Sequence, residues 1–214
     1  MKNLKKIKGD ASLREFFRKR NKKISSILII SKKEKFKNLL VYDSINKILR
    51  KNKILAPKLY KENYKKNSIE IEDFGYDTIF KILIKKRGNK LFYFKKIIET
   101  LNKIQKIKDK NVKNFKNKNF KIPTYTKKVL IKEANLFCDW YLKKNLPKKE
   151  KTKFTKKYKK IIKRLSLSLK LKNNIFVHRD FHISNLMLLK KKLCLIDFQD
   201  AVVNNEAYNF ASIV

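Results

Sequence analysis

The spacing of apolar residues divides this chain into a strand-rich first part and a helical second part. LREFFRK at 13–19, SSILIIS at 25–31 and SIEIED at 68–73 are short runs with the composition or alternation that predicts strands. Between the second and third runs, apolar residues recur at helical spacing from Lys35 to Asn52, which predicts a helix. The first part is therefore expected to be a small antiparallel β-lobe that carries one helix.

After Gly75 the periodicity becomes that of helices. Three helices are predicted, at 92–107, 126–145 and 151–171. Three short apolar runs near the C-terminus predict strands, at 175–177, 186–189 and 193–196. The predicted fold class is therefore α+β with two lobes, a β N-lobe over residues 1–75 and a larger helical C-lobe over residues 76–214.

The composition is that of a folded chain, and it allows two interpretations of the large positive charge. The 214 residues are 43% hydrophobic with only three Gly, so disorder and long flexible linkers are not expected. A net charge of +40 ordinarily indicates nucleic acid or an anionic membrane as partner. However, only seven of the 58 basic residues are Arg, and the lysines are spread along the whole chain. Asn and Ile are also abundant and share A/T-rich codons with Lys, which favours genome bias over a polyanion-binding face, although both interpretations stay open.

The cysteines and the N-terminal sequence indicate the cellular compartment of the protein. Cys138 and Cys194 lack the spacing of metal ligands and are expected to be buried thiols. MKNLKKIKGD has no apolar core for secretion, and the apolar run at 27–30 is too short to span a membrane. These observations predict a cytoplasmic protein in a reducing compartment.

The strongest chemical signal is a pair of motifs near the C-terminus, HRDFHISN at 178–185 and LIDFQD at 195–200. Phosphoryl transfer from ATP needs a carboxylate near the attacking hydroxyl, and oxygen ligands that hold Mg²⁺ on the phosphates. Asp180 has the type and position of the general base, and Asn185 and Asp197 have those of the metal ligands. Either motif alone could be accidental, but both in this order favour a kinase-like catalytic site. His178 is expected to brace the loop rather than to take part in the chemistry.

GDASLREFFR at 9–18 is a weaker signal for phosphate binding. A turn of small residues before a strand lets peptide N–H groups approach phosphates, and Gly9, Ala11 and Ser12 fit that role. Arg14 or Arg18 could add positive charge. With a single Gly, an ordinary β-turn explains the string equally well and is the favoured interpretation for the motif taken alone.

IEDFG at 71–75 is the predicted connector between the lobes. An extended segment there could offer its peptide groups to the edge of an adenine, which makes Glu72, Asp73 and Phe74 candidate nucleotide-binding residues. Taken alone the signal is weak, because a strand that ends in Gly is common.

LFCDWYL at 136–142 contains the only Trp of the chain, Trp140. A sugar ring could stack on its indole, but the helical spacing of the stretch favours packing in the core.

GDASLREFF, IEDFG, EANLFCDWYL, HRDFHISNLM and LIDFQDA, in that order, resemble the aminoglycoside phosphotransferase-like family, which includes the choline kinases. Within it they are most similar to bacterial kinases that act on the anomeric hydroxyl of N-acetylmuramate and N-acetylglucosamine. The resemblance covers nearly the whole chain. It implies a protein-kinase-like two-lobe fold, ATP, Mg²⁺ and a small-molecule acceptor, with Asp180 as base and Asn185 and Asp197 as metal ligands. It also suggests an N-acetylated amino sugar from cell-wall recycling as the substrate. The intact motif residues and the Lys-rich composition argue against nucleic acid as a partner.

Three features depart from the family pattern. The strand at 25–31 lacks the internal Lys that kinases pair with the α- and β-phosphates, and Lys32 is the nearest candidate. Asn209 stands where the family usually has Asp. The chain also ends at Val214, where relatives continue, so we expect a C-terminally truncated form. The alternatives to an active kinase are a non-catalytic relic that binds nucleotide and, less favoured, a basic nucleic-acid-binding protein.

Overall fold

A computed structural model gives the fold of this chain. It describes residues 4–7, 14–20, 25–31, 37–86, 88–114, 117–169, 172 and 174–213. The predicted phosphate turn with Gly9, Ala11 and Ser12, and also Lys32, lie outside the described residues.

The first part of the chain forms a five-stranded antiparallel sheet in the order β1-β2-β3-β5-β4. Its strands are β1 (Leu4–Ile7), β2 (Glu15–Arg20), β3 (Ser25–Ile30), β4 (Leu59–Asn63) and β5 (Ser68–Glu72). The three strands predicted here are confirmed as β2, β3 and β5.

The register of the sheet places one apolar face toward the rest of the molecule. Ile27 of β3 pairs with Arg18 of β2 and with Ile71 of β5, and Ile29 pairs with Phe16. Because side chains alternate across a strand, these residues share one face. The opposite face carries both apolar and polar side chains, and there Glu70 accepts hydrogen bonds from Ser26 and Lys19.

Helix α1 (Lys37–Lys51) follows β3 and confirms the predicted helix. Tyr42, Ile45, Ile48 and Leu49 are all at most 5% exposed, so the helix presents a nearly continuous apolar face to the core.

The second part of the chain is mostly helical. Its helices are α2 (Ile79–Ile84), α3 (Lys90–Gln105), α4 (Lys127–Leu136), α5 (Lys143–Asn145), α6 (Lys148–Ser168) and α7 (Glu206–Ala211). Side chains that accept from the first-turn N–H groups fix the starts of four of them, at Thr78, Asn89, Thr126 and Asn205. The three predicted helices are confirmed, with boundaries shifted by a few residues.

A π-helical turn (Phe137–Leu142) joins α4 to α5 and corrects one expectation. The extra residue per turn buries Cys138 and Leu142 and turns Trp140 outward, where it is 68% exposed. The prediction that Trp140 packs in the core, made from regular α-helical spacing, is therefore wrong.

Short strands in the second part hold the two motif loops. They are β6 (Asn111–Lys113), β7 (Asn119–Lys121), β8 (Ile175–Val177), β9 (Leu186–Leu189), β10 (Lys192–Leu195) and β11 (Val202–Asn204). The pairs β6–β7, β9–β10 and β8–β11 are antiparallel, and the three strands predicted near the C-terminus are β8, β9 and β10.

The whole has the α+β, protein-kinase-like two-lobe fold that the sequence predicted, a β N-lobe and a larger helical C-lobe. The lobe boundary at residue 75 stays a prediction. Cys138 and Cys194 are free and buried, as expected. Among the described residues, every helix falls short of the length or the apolar character needed to span a bilayer.

Asn209 of α7 ties this helix to β8, and it generates a test of the fold. Its side-chain oxygen accepts from the N–H of His178 at 3.0 Å, and its amide donates to the carbonyl of Phe176 at 3.0 Å. The residue is completely buried. We expect Asn209→Ala to lower the free energy of unfolding by about 3 kcal/mol, because it leaves two buried backbone groups unpaired.

Asn209→Asp is the matched variant, since it keeps the shape of the side chain and exchanges the amide for a carboxylate. It keeps an acceptor for His178 but loses the donor to Phe176, so urea denaturation should give an intermediate loss. Equal stabilities of the parent and Asn209→Ala would show that this bridge does not hold α7.

Candidate functional site

A cleft of about 660 Å³ lies between the apolar face of the sheet and the β9–β10 hairpin. Ile27, Ile29 and Ile71 line it from the sheet, and Met187 and Ile196 line it from the hairpin side. Its volume lies within the ~300–1,000 Å³ typical of small-molecule sites. Apolar walls on two opposite sides suit a flat ring system.

The connector after β5 is held by a buried clamp. Arg18 donates from Nε to Asp73 at 2.6 Å and from Nη2 at 2.8 Å, a bidentate pair whose side chains are 7% and 5% exposed. Arg18 also donates to the carbonyl of Gly75 at 2.6 Å and lies 3.7 Å from the centre of the Tyr76 ring. Gly75 has φ +88°, which L side chains rarely adopt.

The carboxylate of Asp73 is fully engaged in this clamp. Besides Arg18 it accepts from the hydroxyl of Ser25 and from the N–H of Gly75. Burial opposes its ionisation, but these donors outweigh burial and hold the pKa of Asp73 below its ordinary value. Only the peptide groups of Asp73 therefore remain for a nucleotide, and Arg18 is not available as a phosphate ligand.

Phe74 has the geometry expected of a segment that reads a base edge. Its side chain is buried against Met187 and Cys194. Its peptide N–H and carbonyl have no hydrogen-bond partner within the described part of the chain, although the residue lines the cleft. Glu72 differs, because its N–H already donates to the carbonyl of Lys58 at 2.8 Å.

The two motif loops are joined through His178. This side chain is fully buried, and its Nε2 lies 3.1 Å from the carbonyl of Ile196, the residue before Asp197. A carbonyl only accepts, so Nε2 carries the proton. Burial lowers the pKa of His178 to about 4, which keeps the ring neutral. His178 thus acts as a brace, as the sequence predicted.

Asp180 lies on the exposed part of the first loop. Partial desolvation, reinforced by the nearby carboxylates of Asp197 and Asp200, raises its pKa above the ordinary value. A carboxylate with a raised pKa is a better proton acceptor near neutral pH than an unperturbed one. The preceding residue, Arg179, has φ +75° and donates to Glu133 at 2.7 Å.

Asn185 and Asp197 both line the cleft. The amide nitrogen of Asn185 donates to the carbonyl of Asp180 at 3.1 Å and lies 3.2 Å from Nε2 of His182. Its amide oxygen has no hydrogen bond among the described residues. Asp197 has φ +59°, and one of its oxygens accepts from Gln199 at 2.7 Å. Such backbone strain at a polar cluster is typical of functional sites.

These oxygen donors fit Mg²⁺ better than zinc. Within the described ranges no group of three or more His, Cys, Asp or Glu could hold a metal by itself. Mg²⁺ is usually bound by one or two protein oxygens together with substrate phosphates and water. One amide and one carboxylate at the cleft therefore fit a metal that enters with a nucleotide.

The structure thus brings most of the predicted site residues to one cleft. Its lining includes Glu72, Asp73, Phe74, Asn185 and Asp197. Asp180 does not line the cleft and lies beside it, on the loop that carries Asn185.

Tyr42 and Gln199 are among the lining residues that sequence reasoning missed. Gln199 could have been suspected from its place two residues after Asp197. Tyr42 carried no signal, because its helical spacing is that of a core residue.

The family model described as the phosphotransferase enzyme family matches residues 3–214. The chain belongs to this family.

Two curated relatives are bacterial N-acetylmuramate/N-acetylglucosamine kinases. That of Neisseria meningitidis serogroup B is 24% identical over 209 residues, 96% of this phosphotransferase-family chain and 59% of the relative. That of Pseudomonas aeruginosa is 25% identical over 201 residues, 94% of this chain and 56% of the relative. The chain therefore spans less than two thirds of the length of either relative.

A solved structure shares the fold of this phosphotransferase-family chain. It is the ternary complex of APH(2")-IIa with streptomycin and ATP, with a TM-score of 0.64 and 15% sequence identity. The similarity covers 98% of this chain and 70% of the other.

The buried neutral ring of His178 predicts a pH dependence of stability. In the unfolded chain the His178 ring takes up a proton near its ordinary pKa of 6.5. In the folded chain it takes up that proton only near pH 4. Stability is therefore complete above about pH 6.5 and falls as the pH drops toward 4. Urea denaturation of the ligand-free protein should show a loss of about 2 kcal/mol from this group between pH 8 and 5.

His178→Gln should abolish the loss of stability that comes from His178 at low pH. His182→Gln, at the exposed second histidine, should lose the same stability as the parent. An equal loss in the parent and His178→Gln would contradict a neutral buried ring. If His178→Gln does not fold, an NMR titration of the His178 ring in the parent gives the same answer directly.

Proposed function

We propose that this chain is a kinase that binds ATP in the cleft and transfers its γ-phosphoryl group to a hydroxyl of a small molecule. The observation that carries the proposal is the hydrogen bond from His178 to Ile196, which holds the two motif loops together. It sets the loop of Asp180 and Asn185 against Asp197, beside the cleft that the connector closes.

Different lining residues of the cleft would bind the adenine and the phosphates of the nucleotide. The adenine is proposed to lie between Ile27 and Ile71 on one side and Met187 on the other, with its edge at the peptide groups of Phe74. The phosphates then extend toward Asn185 and Asp197. APH(2")-IIa, which shares the fold, has been solved with ATP bound. In this assignment residues 1–75 form the lobe that holds the base, and residues 76–214 supply the chemistry.

The proposed transfer uses Asp180 as the base. The acceptor hydroxyl gives its proton to the Asp180 carboxylate while its oxygen bonds to the γ-phosphorus. The bond from that phosphorus to the bridging oxygen breaks, and ADP leaves with the electron pair. Mg²⁺ held by Asn185 and Asp197 would neutralise charge on the phosphates. The raised pKa of Asp180 suits it to accept this proton.

The acceptor class that we favour is an N-acetylated amino sugar, phosphorylated at its anomeric hydroxyl in cell-wall recycling in the cytoplasm. Its support is the printed activity of the two curated relatives, N-acetylmuramate/N-acetylglucosamine kinase, at 24% and 25% identity. The proposed partner is thus a small molecule rather than nucleic acid.

Nucleotide binding can be tested before turnover. Calorimetry with Mg-ATP should show binding that Asp197→Ala weakens at least tenfold, because a lost charged ligand of the metal typically costs on the order of 2 kcal/mol or more. Asp139→Ala is the control, since Asp139 is an exposed carboxylate on the π-helical turn. Affinity that is the same in Asp197→Ala and in the parent would contradict Asp197 as a metal ligand.

The base can be tested by separating turnover from binding. Asp180→Asn should leave Mg-ATP affinity within about twofold, because Asp180 does not line the cleft. It should lower phosphorylation of N-acetylglucosamine or N-acetylmuramate by a factor of about 10²–10⁴. The readout is radioactive phosphate transferred to the sugar under saturating ATP.

Three results would change this assignment. Binding of ATP without phosphorylation of either sugar would favour the nucleotide-binding relic. Activity that appears only with nucleic acid would favour the basic nucleic-acid-binding protein. Turnover that is equal in Asp180→Asn and in the parent would remove Asp180 as the base.

A further inference from the structure

The cleft face of strand β3 carries apolar residues among those the structure describes. In protein kinases a strand Lys pairs with a Glu of the following helix. The cleft face of β3 carries Ile27 and Ile29 instead. The one acidic residue of α1 is Asp43, whose carboxylate lies 3.0 Å from Lys47 on the same helix. Among the described residues of α1, it is Tyr42 that lines the cleft.

Tyr42 of α1 occupies this part of the cleft. Its ring packs on Phe198, the residue after Asp197, with ring centroids 4.8 Å apart and planes inclined by 33°. The residue is 5% exposed and lines the cleft. Its hydroxyl has no hydrogen-bond partner among the described residues. An unpaired buried hydroxyl destabilises a fold, because its desolvation is not compensated by a hydrogen bond. A ligand that accepts from it would supply that hydrogen bond.

The electrostatic surroundings of this hydroxyl indicate what such a ligand would be. Arg14, which also lines the cleft, interacts favourably with negative charge at the hydroxyl, and Asp197 interacts unfavourably with it. Burial raises the pKa of Tyr42, so the group stays protonated and can only serve the site as a neutral donor or acceptor. An O–H donor that lies in the field of both an arginine and a proposed metal ligand suits a phosphate oxygen.

We propose that the Tyr42 hydroxyl donates a hydrogen bond to a phosphate oxygen of the bound nucleotide, while its ring positions Phe198 and hence Asp197. This inference rests on the proposed function and adds a phosphate ligand from α1.

The test is Tyr42→Phe, which removes the hydroxyl and keeps the ring. Without ligand, its melting temperature should equal or exceed that of the parent, because the unpaired hydroxyl is gone. Its Mg-ATP affinity should be roughly 10-fold to 100-fold weaker, as expected for a lost hydrogen bond to a charged group. Its affinity for adenosine, which has no phosphates, should stay within twofold. The ATP-induced rise in melting temperature should shrink accordingly.

Tyr93→Phe is the matched control, since Tyr93 is a buried tyrosine of α3 that does not line the cleft. It should leave ATP affinity, adenosine affinity and their ratio unchanged. Tyr42→Leu removes ring and hydroxyl together, and it should lower the ligand-free melting temperature as well as ATP affinity.

The outcomes separate this inference from the function on which it rests. A parent that does not bind Mg-ATP would overturn the proposed function and the inference with it. A parent that binds Mg-ATP, with Tyr42→Phe binding it equally well, would overturn the inference alone. Equal weakening of ATP and adenosine in Tyr42→Phe would also overturn it, since that is the result of a merely structural role.

Discussion

The hydrogen bond from the buried His178 ring to the carbonyl of Ile196 is the constraint on which the site depends. It ties the loop of Asp180 and Asn185 to the strand end that carries Asp197. The ring can do this only while it is neutral and fixed from behind, and Asn209 fixes it by accepting from its backbone N–H. An amide suits this position well, because it satisfies a donor and an acceptor at once. Asn209, at a position where the resemblance led us to expect Asp, is therefore compatible with an ordered site.

The opposite side of the cleft depends on a second buried contact, between Arg18 and Asp73. Both residues were candidates for nucleotide binding, but their charges satisfy each other and shape the connector. Removal of either would leave a buried charge uncompensated, which costs far more than the net value of the pair. The charges of Arg18 and Asp73 thus serve the fold of the connector.

Local chemistry explains which parts could be predicted from the sequence. Strands β3 and β5 and helix α1 bury apolar residues at regular spacing, and the two motifs place fixed residue types on tight loops. Strand β4 could not be predicted, because it is an edge strand with exposed side chains and no alternation. The π-helical turn could not either, because its extra residue breaks the periodicity on which the prediction about Trp140 relied. The place of Tyr42 at the cleft could not be predicted for a different reason. In a helix, a tyrosine that faces a ligand and a tyrosine in the core have the same spacing.

The positions of the arginines in this lysine-rich chain help to explain the origin of its large positive charge. Arg18, Arg50 and Arg179 each donate to a defined partner, Asp73, the carbonyl of Ala56 and Glu133 respectively. The planar guanidinium forms such fixed bonds better than the flexible ammonium of Lys. The lysines of α6, by contrast, are nearly all exposed to solvent. If genome bias replaced arginine with lysine wherever geometry allowed, arginine would persist where the fold requires a planar donor. Arg18, Arg50 and Arg179 match that expectation, which favours genome bias as the source of the large positive charge.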